Sequence, residues 1–186
     1  MREVDQSRSR AIIGGRSWES PVAGRDMNRG DHIAVFRQTG AEAPLAVDVL
    51  LLPGWSSADW DKLLECTRPL PIRESDVVIQ RSAIDRSLYF VASGSFEVGI
   101  TQVDGVSISP LARIGAGSVL GEQSFFDGLP RSANVWAVAD GELLALDFED
   151  FNRFSRAEPA LARDLLFALA RVLSVRLRNT TFRVRR

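Results

Sequence analysis

The sequence predicts a mainly β fold with flanking helices, an antiparallel sandwich or barrel followed by a long C-terminal helix. Short β-branched or apolar runs succeed one another at residues 76–79, 88–91, 96–100, 106–111, 135–139 and 143–148, the pattern of short strands. Ser93-Gly94, Asp104-Gly105, Asp127-Gly128 and Asp140-Gly141 stand between runs, as tight connections of antiparallel neighbours require. Beyond the last run, Leu161, Leu165, Leu169, Val172 and Leu173 recur at helical spacing, with Leu166 and Leu177 widening the stripe.

The totals bound the function. A length of 186 residues fits one domain with an extension. Apolar content of 45% and charged content of 25% are ordinary for a globular chain, and a net charge of -1 gives no general attraction to nucleic acid. Lys62 is the sole lysine, which reads as a coding bias. The single cysteine, Cys66, excludes an intrachain disulfide and fits a reducing, cytoplasmic setting; at a helix end among apolar neighbours it reads as a buried thiol. With one histidine, His32, no cluster can hold zinc.

Taken in order, residues 1–29 mix Arg, Ser, Gly, Asp and Glu with few apolar side chains and are expected to be mobile. Ile12 and Ile13 run straight into Gly14, Gly15 and Arg16, so no secretory signal is expected. Residues 33–36 and 45–52 are apolar runs of strand or buried-helix type, closed by Pro53 and Gly54. The second is interrupted by Asp48 and is too short to cross a bilayer. Residues 1–54 are therefore assigned to an N-terminal extension, partly disordered, with no role beyond packing, and residues 55–182 to the domain. Residues 56–66 read as a short helix: Ser56 and Asp59 make a capping-box start, and Trp60, Leu63 and Leu64 share a face. Pro69 and Pro71 then end the helical pattern. After the strands, residues 149–154 give one or two helical turns. A long helix is expected over 155–180, with Ser155 and Glu158 as its capping box and Pro159 in its first turn. Its basic end, Arg176, Arg178, Arg183, Arg185 and Arg186, suits the negative pole of a helix; an acidic partner or nucleic acid is the other reading.

The chemistry gathers in residues 113–135. Gly115, Gly117 and Gly121 lead into Glu122, a short apolar turn follows over 123–126, and a polar turn ends in Pro130, Arg131, Ser132 and Ala133. Gly121 can adopt angles that let the amides after it converge on a bound oxygen. Arg131 supplies a permanently charged fork suited to phosphate. Glu122 would repel phosphate, and it makes sense only if the ligand also offers a hydroxyl donor, as a ribose does. Gly121, Glu122, Pro130, Arg131, Ser132 and Ala133, with nine positions from the glutamate to the arginine, resemble the phosphate-binding cassette of cyclic-nucleotide-binding domains, found in catabolite-activator-like regulators and cyclic-nucleotide-dependent kinases.

The resemblance covers roughly residues 56–180 and implies an antiparallel β-roll of jelly-roll type. It implies Gly121, Glu122, Gln123, Ser124, Arg131, Ser132 and Ala133 as the site. The glutamate would accept from the ribose 2′-hydroxyl, the arginine would hold an exocyclic phosphate oxygen, and amides near Ser124 and Ser132 would complete the cradle. The ligand implied is cAMP, the commoner in the family, or cGMP; no other cofactor is expected. Gln123 and Ser124 stand where the family favours an aliphatic residue and alanine, and Ser82 where a turn glycine is common. Phe125 and Phe126 are expected to anchor the short helix in the core. Because the sequence ends at Arg186, the DNA-binding helix-turn-helix of the regulators is expected to be missing.

Enzyme readings fit poorly. His32 has no arguable nucleophile beside it, the glycine spacing departs from the dinucleotide fingerprint, and no lysine follows a glycine-rich loop. The expectation is a non-enzymatic cyclic-nucleotide sensor that relays binding through its C-terminal helix to a protein partner or a second subunit as a homodimer, with no DNA and no membrane involved. The rival is the same roll without ligand, acting as an interaction or dimerisation module.

Overall fold

The computed structural model describes residues 12–13, 16–17, 27–42, 48–101 and 108–184. Most of the stretch expected to be mobile, together with Asp104-Gly105, lies outside the described residues. The elements, in chain order, are β1 (Ile12–Ile13), β2 (Arg16–Ser17), α1 (Arg29–Glu42), α2 (Ser57–Leu64), β3 (Arg68–Ile72), β4 (Val77–Ile79), β5 (Leu88–Thr101), β6 (Ile108–Gly115), β7 (Val119–Leu120), α3 (Glu122–Asp127), β8 (Asn134–Leu146), α4 (Phe148–Ala157) and α5 (Pro159–Val184).

The antiparallel roll with flanking helices and a long C-terminal helix is present. Its sheet runs β3-β8-β5-β6, with β4 also on β8 and β7 also on β5. Two long strands carry it. The first half of β5 pairs with β7 and the second with β6. The first half of β8 pairs with β4 and the second with β3. β5 and β8 thus pass through both halves of the roll and pair with each other along almost their whole length.

Here the structure corrects the sequence reading. Ser93-Gly94 and Asp140-Gly141 do not separate strands; they are irregularities inside β5 and β8, where the register shifts. Gly94 has φ +90, and a Cβ on Gly141 would lie 2.5 Å from the Ser93 carbonyl oxygen and 2.7 Å from the Gly94 Cα. Two backbones meet there at a distance only glycine allows. Gly94 is needed for its positive φ and Gly141 for the close approach of the two backbones, and glycine serves both needs in a strand as well as in a turn, so the dipeptides looked like loops.

Over residues 88–92 of β5 and 143–146 of β8 both faces of the sheet are covered, and there the strands are apolar without a break. Along β5, Leu88, Phe90 and Ala92 join the core beneath the helices, whereas Tyr89, Val91 and Phe96 join the core inside the roll. Residues 33–36 prove helical: α1 is started by Asn28 and Asp31, each accepting the other's backbone amide (3.1 and 3.0 Å). Phe36 stacks on Trp60 at 5.3 Å and meets Phe90 edge-on at 6.1 Å. His32 lies buried with its Nε2 2.5 Å from Glu142 Oε1 of β8. Ile33, Phe36 and Leu50, all from the stretch assigned to the extension, therefore help build the helix-side core.

α2 begins with the expected Ser56–Asp59 capping box and buries Trp60, Leu63 and Leu64. The long helix starts later than expected. Residues up to Ala157 belong to α4, the chain breaks at Glu158 (φ -131, ψ 64), and Pro159 opens α5, a position where its missing N–H costs nothing. Ser155 is no cap; its hydroxyl donates back to the Asn152 carbonyl at 3.0 Å inside α4. α5 buries Ala162, Leu165, Ala168, Leu169 and Val172 and exposes Phe167 and Leu177. Cys66 is only partly buried. Among the described residues no helix is long and apolar enough to cross a membrane.

Gly141→Ala is expected to destabilise the roll by roughly 1–3 kcal/mol through overpacking against backbone. Gly115→Ala, where a Cβ meets nothing within 4 Å, should stay within about 0.5 kcal/mol of wild type; urea denaturation of both variants checks the contrast.

Candidate ligand-binding site

The cassette is shaped by two glycines. Gly121 (φ +80) precedes α3 and Gly128 (φ +69) ends it, its amide donating to the Ser124 carbonyl at 3.0 Å. Gly121 is needed twice over, because a Cβ there would lie 2.4 Å from Arg131 Nη1 and 2.8 Å from the Ser87 carbonyl oxygen. α3 is anchored through Phe125, whose ring meets Phe148 at 5.5 Å and Phe151 at 5.2 Å. Phe126 was expected in the core as well, yet it is 38% exposed. On so short a helix, adjacent residues point different ways.

All seven residues expected from the sequence, Gly121, Glu122, Gln123, Ser124, Arg131, Ser132 and Ala133, line one cavity of about 420 Å³, within the size range of small-ligand sites. Ile79, Val98, Ile114, Leu120 and Val135 give it an apolar wall from the sheet. Asp48, Arg176, Asn179 and Thr180 also line it, and sequence reasoning missed all four. For Arg176, Asn179 and Thr180 the available signal was a shared helix face at i, i+3 and i+4; for Asp48 there was none.

On the cavity wall stands Arg131, 3% exposed. Its Nε donates to Asp85 Oδ2 at 3.0 Å and its Nη2 to the other oxygen of the same carboxylate. Nη2 also donates to the Ser87 carbonyl at 2.7 Å, and Nη1 to that of Gly121 at 3.0 Å. These bonds engage four of the five N–H donors of the guanidinium, which is therefore held rigid. Partial burial works to raise the Asp85 carboxyl, but the bond to Arg131 and its charge, helped by Ser87, outweigh burial and hold it below the ordinary carboxylate value.

Glu122, also on the cavity wall and 5% exposed, receives Arg176 Nη1 at 2.7 Å on Oε1. Arg176 is shared: its Nε donates to Asp48 Oδ2 at 3.0 Å, and its Nη2 to the Val119 carbonyl at 2.8 Å and Ser118 Oγ at 3.2 Å. Burial works against its charge, and Glu122 followed by Asp48 more than offsets burial, leaving its pKa above the ordinary value. Ser132 Oγ donates to Gln123 Oε1 at 2.7 Å and joins the two arms of the cassette. The cavity thus presents a fixed cation, a carboxylate held by a second cation, and a greasy wall. That is complementary to an anion carrying hydroxyls and an apolar face.

A sequence model of the family described as cyclic nucleotide-binding domain matches residues 69–158. The chain is similar to the cyclic AMP receptor protein of Thermus thermophilus, 38% identical over 96 residues, which make up 52% of this chain and 44% of that protein. The chain therefore spans less than half of that relative's length. Among solved structures, the Thermus thermophilus catabolite activator protein superposes with a TM-score of 0.61 at 31% identity, over 70% of this chain and 59% of that one. A cyclic nucleotide-binding domain from Methylobacillus flagellatus superposes with a TM-score of 0.70 over 84% of this chain and 83% of that one; at 19% identity it speaks to the fold alone. A glycine-framed cassette lies in a roll of the matching architecture, and the matched residues hold Glu122 and Arg131 on one cavity. Residues 69–158 of this chain thus match the cyclic nucleotide-binding domain family in sequence, and the roll that holds them matches it in fold.

Proposed function

We propose that the cavity binds a cyclic mononucleotide, cAMP or cGMP, and that the chain is a regulatory sensor, not an enzyme, which passes binding on through α5. The observation that carries this reading is the convergence of a rigid, buried Arg131 and a buried Glu122 on one hollow. The phosphate sits against Arg131 and the amides of the cassette, the ribose 2′-hydroxyl donates to Glu122, and the base lies on the apolar strands under α5. α5 is placed to respond, because its Arg176 holds the same Glu122. A ligand biases the helix only to the extent that it binds one arrangement of this ion pair better than the other. The exposed Phe167 and Leu177 give α5 a face for a second subunit or a protein partner.

A second reading has one observation in its favour. Arg131 is already satisfied by Asp85, and Glu122 by Arg176. A roll with these polar groups paired internally can stand without ligand as an interaction module.

A thermal-shift titration separates the two. Ligand at about a hundred times its Kd should stabilise the fold by roughly 2.7 kcal/mol, a rise of several degrees in Tm; no rise with cAMP or cGMP favours the interaction module. Truncating Arg131 would strand the Gly121 and Ser87 carbonyls, so Arg131→Lys is the better probe. It should stay folded and lose about tenfold or more in affinity, since an ammonium cannot keep the forked geometry.

If α5 pairs two chains, Leu177→Glu should shift the sedimentation coefficient from dimer to monomer at micromolar concentration while the apo Tm falls little. A wild-type chain that sediments as a monomer in the presence and absence of cAMP counts against pairing.

A further inference from the structure

Asp48 lies twenty-one residues before the matched family stretch, in a segment to which the sequence assigned packing alone. In the structure that segment is stitched to the site. Val49 bridges Ser118, the Leu50 amide donates to the Gly117 carbonyl at 2.8 Å, and Ser118 Oγ donates to the Asp48 carbonyl at 2.5 Å. From the other side, Arg171 of α5 donates to the Val49 carbonyl. The backbone of residues 48–50 is thereby held between the turn at 117–118 and α5, and the Asp48 side chain reaches the cavity.

We propose that Asp48 is a positioning residue of the ligand site: by holding Arg176 through its Nε, it restrains that guanidinium to one oxygen of Glu122 and keeps the other available to a ligand hydroxyl. The proposal rests on the cyclic-nucleotide reading above. The geometry that carries it is a single guanidinium divided between two carboxylates, with Nε 3.0 Å from Asp48 Oδ2 and Nη1 2.7 Å from Glu122 Oε1, while Nη2 is taken up by Val119 and Ser118. A guanidinium with one carboxylate within reach prefers to engage it through two parallel bonds. Two carboxylates on different edges of the fork prevent that. With the charge of Asp48 removed, Arg176 turns wholly to Glu122, occupies both of its oxygens, and displaces the ribose hydroxyl. Asp48 and Glu122 share the one guanidinium of Arg176 on the cavity wall, so Asp48 helps to set where Arg176 points.

The test is discrimination between cAMP and 2′-deoxy-cAMP, measured by calorimetry on wild type and Asp48→Asn. Wild type should favour the ribose ligand by about tenfold to a hundredfold, the scale of one hydrogen bond to a charged acceptor. In Asp48→Asn the preference should shrink to about threefold or less, with the affinity for 2′-deoxy-cAMP little changed. A merely structural Asp48 would weaken both ligands together and leave the ratio intact; an unchanged ratio overturns the proposal and leaves the cyclic-nucleotide reading standing. Wild type that binds neither ligand overturns both. Should Asp48→Asn fail to fold, Asp48→Ser removes the same charge from this half-buried position and must show the same fall in ratio, or the proposal is wrong.

Discussion

A buried guanidinium needs partners for its charge and for most of its donors, and that constraint on Arg131 organises the site. Leaving a charged group in the interior without partners costs several kcal/mol, so the fold supplies a carboxylate from Asp85 and carbonyls from Ser87 and Gly121. To accept from Arg131 at this range, the Gly121 backbone must come so close that no Cβ fits. The αL angle of Gly121 then sends the chain into α3, and Glu122 enters the same hollow as its first residue. One ion pair and one glycine thus fix Arg131 and Glu122 relative to each other on the cavity wall. Asp85 and Ser87 precede β5 directly, so the cassette is held by the strand that runs through both halves of the roll.

That strand and its partner show why the frame is stiff. β5 and β8 form a two-stranded spine, and β3, β4, β6 and β7 attach to its outer edges, while β1 and β2 pair with each other in a separate sheet. The spine bends where Gly94 and Gly141 face each other, which lets one pair of strands serve both halves. With a separate core on each face, a change in the helix layer reaches the roll interior through the sheet itself. α3 escapes this arrangement. It lies at the rim, its Phe125 packed into the helix-side core and its Ser124 and Glu122 at the cavity, so it touches both without belonging to the sheet.

The sequence made legible what is local. The cassette residues fall within thirteen positions, their spacing is dictated by one short helix and one turn, and all reach the cavity. The capping box of α2 was equally readable, since Ser56 and Asp59 need only each other. What stayed hidden depends on distant pairing. Asp85 meets Arg131 across 46 positions and Asp48 meets Arg176 across 128, and no local pattern marks either acid. Arg176 was visible as a charge but read as part of a basic helix end, because sequence alone does not say which face of α5 lies over the cavity. The irregularities at Gly94 and Gly141 misled for a different reason: Gly94 needs the positive φ that hairpin turns also need, and Gly141 is a glycine because another backbone passes too close for a Cβ, which no local pattern distinguishes from a turn. Ser82, noted as standing where a turn glycine is common, does adopt a positive φ of 67. It pairs with the Arg131 backbone, its amide donating to the Arg131 carbonyl at 2.9 Å, which gives a non-glycine residue a reason to hold that angle.

How α3 meets the helices limits what a ligand can do. One route is apolar: Phe125 among Phe148 and Phe151, tied further by Arg86, which donates to the Phe125 carbonyl at 2.8 Å and lies 3.4 Å over the Phe148 ring. That route ends in α4. The other is ionic, from Glu122 to Arg176, and it ends in α5. α4 and α5 are separate helices because the chain breaks at Glu158 and Pro159 can donate no bond back across the break. A packed ring cluster has few alternative arrangements and resists small displacements, whereas an arginine shared among several acceptors can exchange one for another at little cost. A hydroxyl arriving at Glu122 competes directly for the acceptor that Arg176 uses. Of the two routes the ionic one is therefore the easier to rearrange, and it meets α5 near its exposed end, where the helix is least restrained by the core.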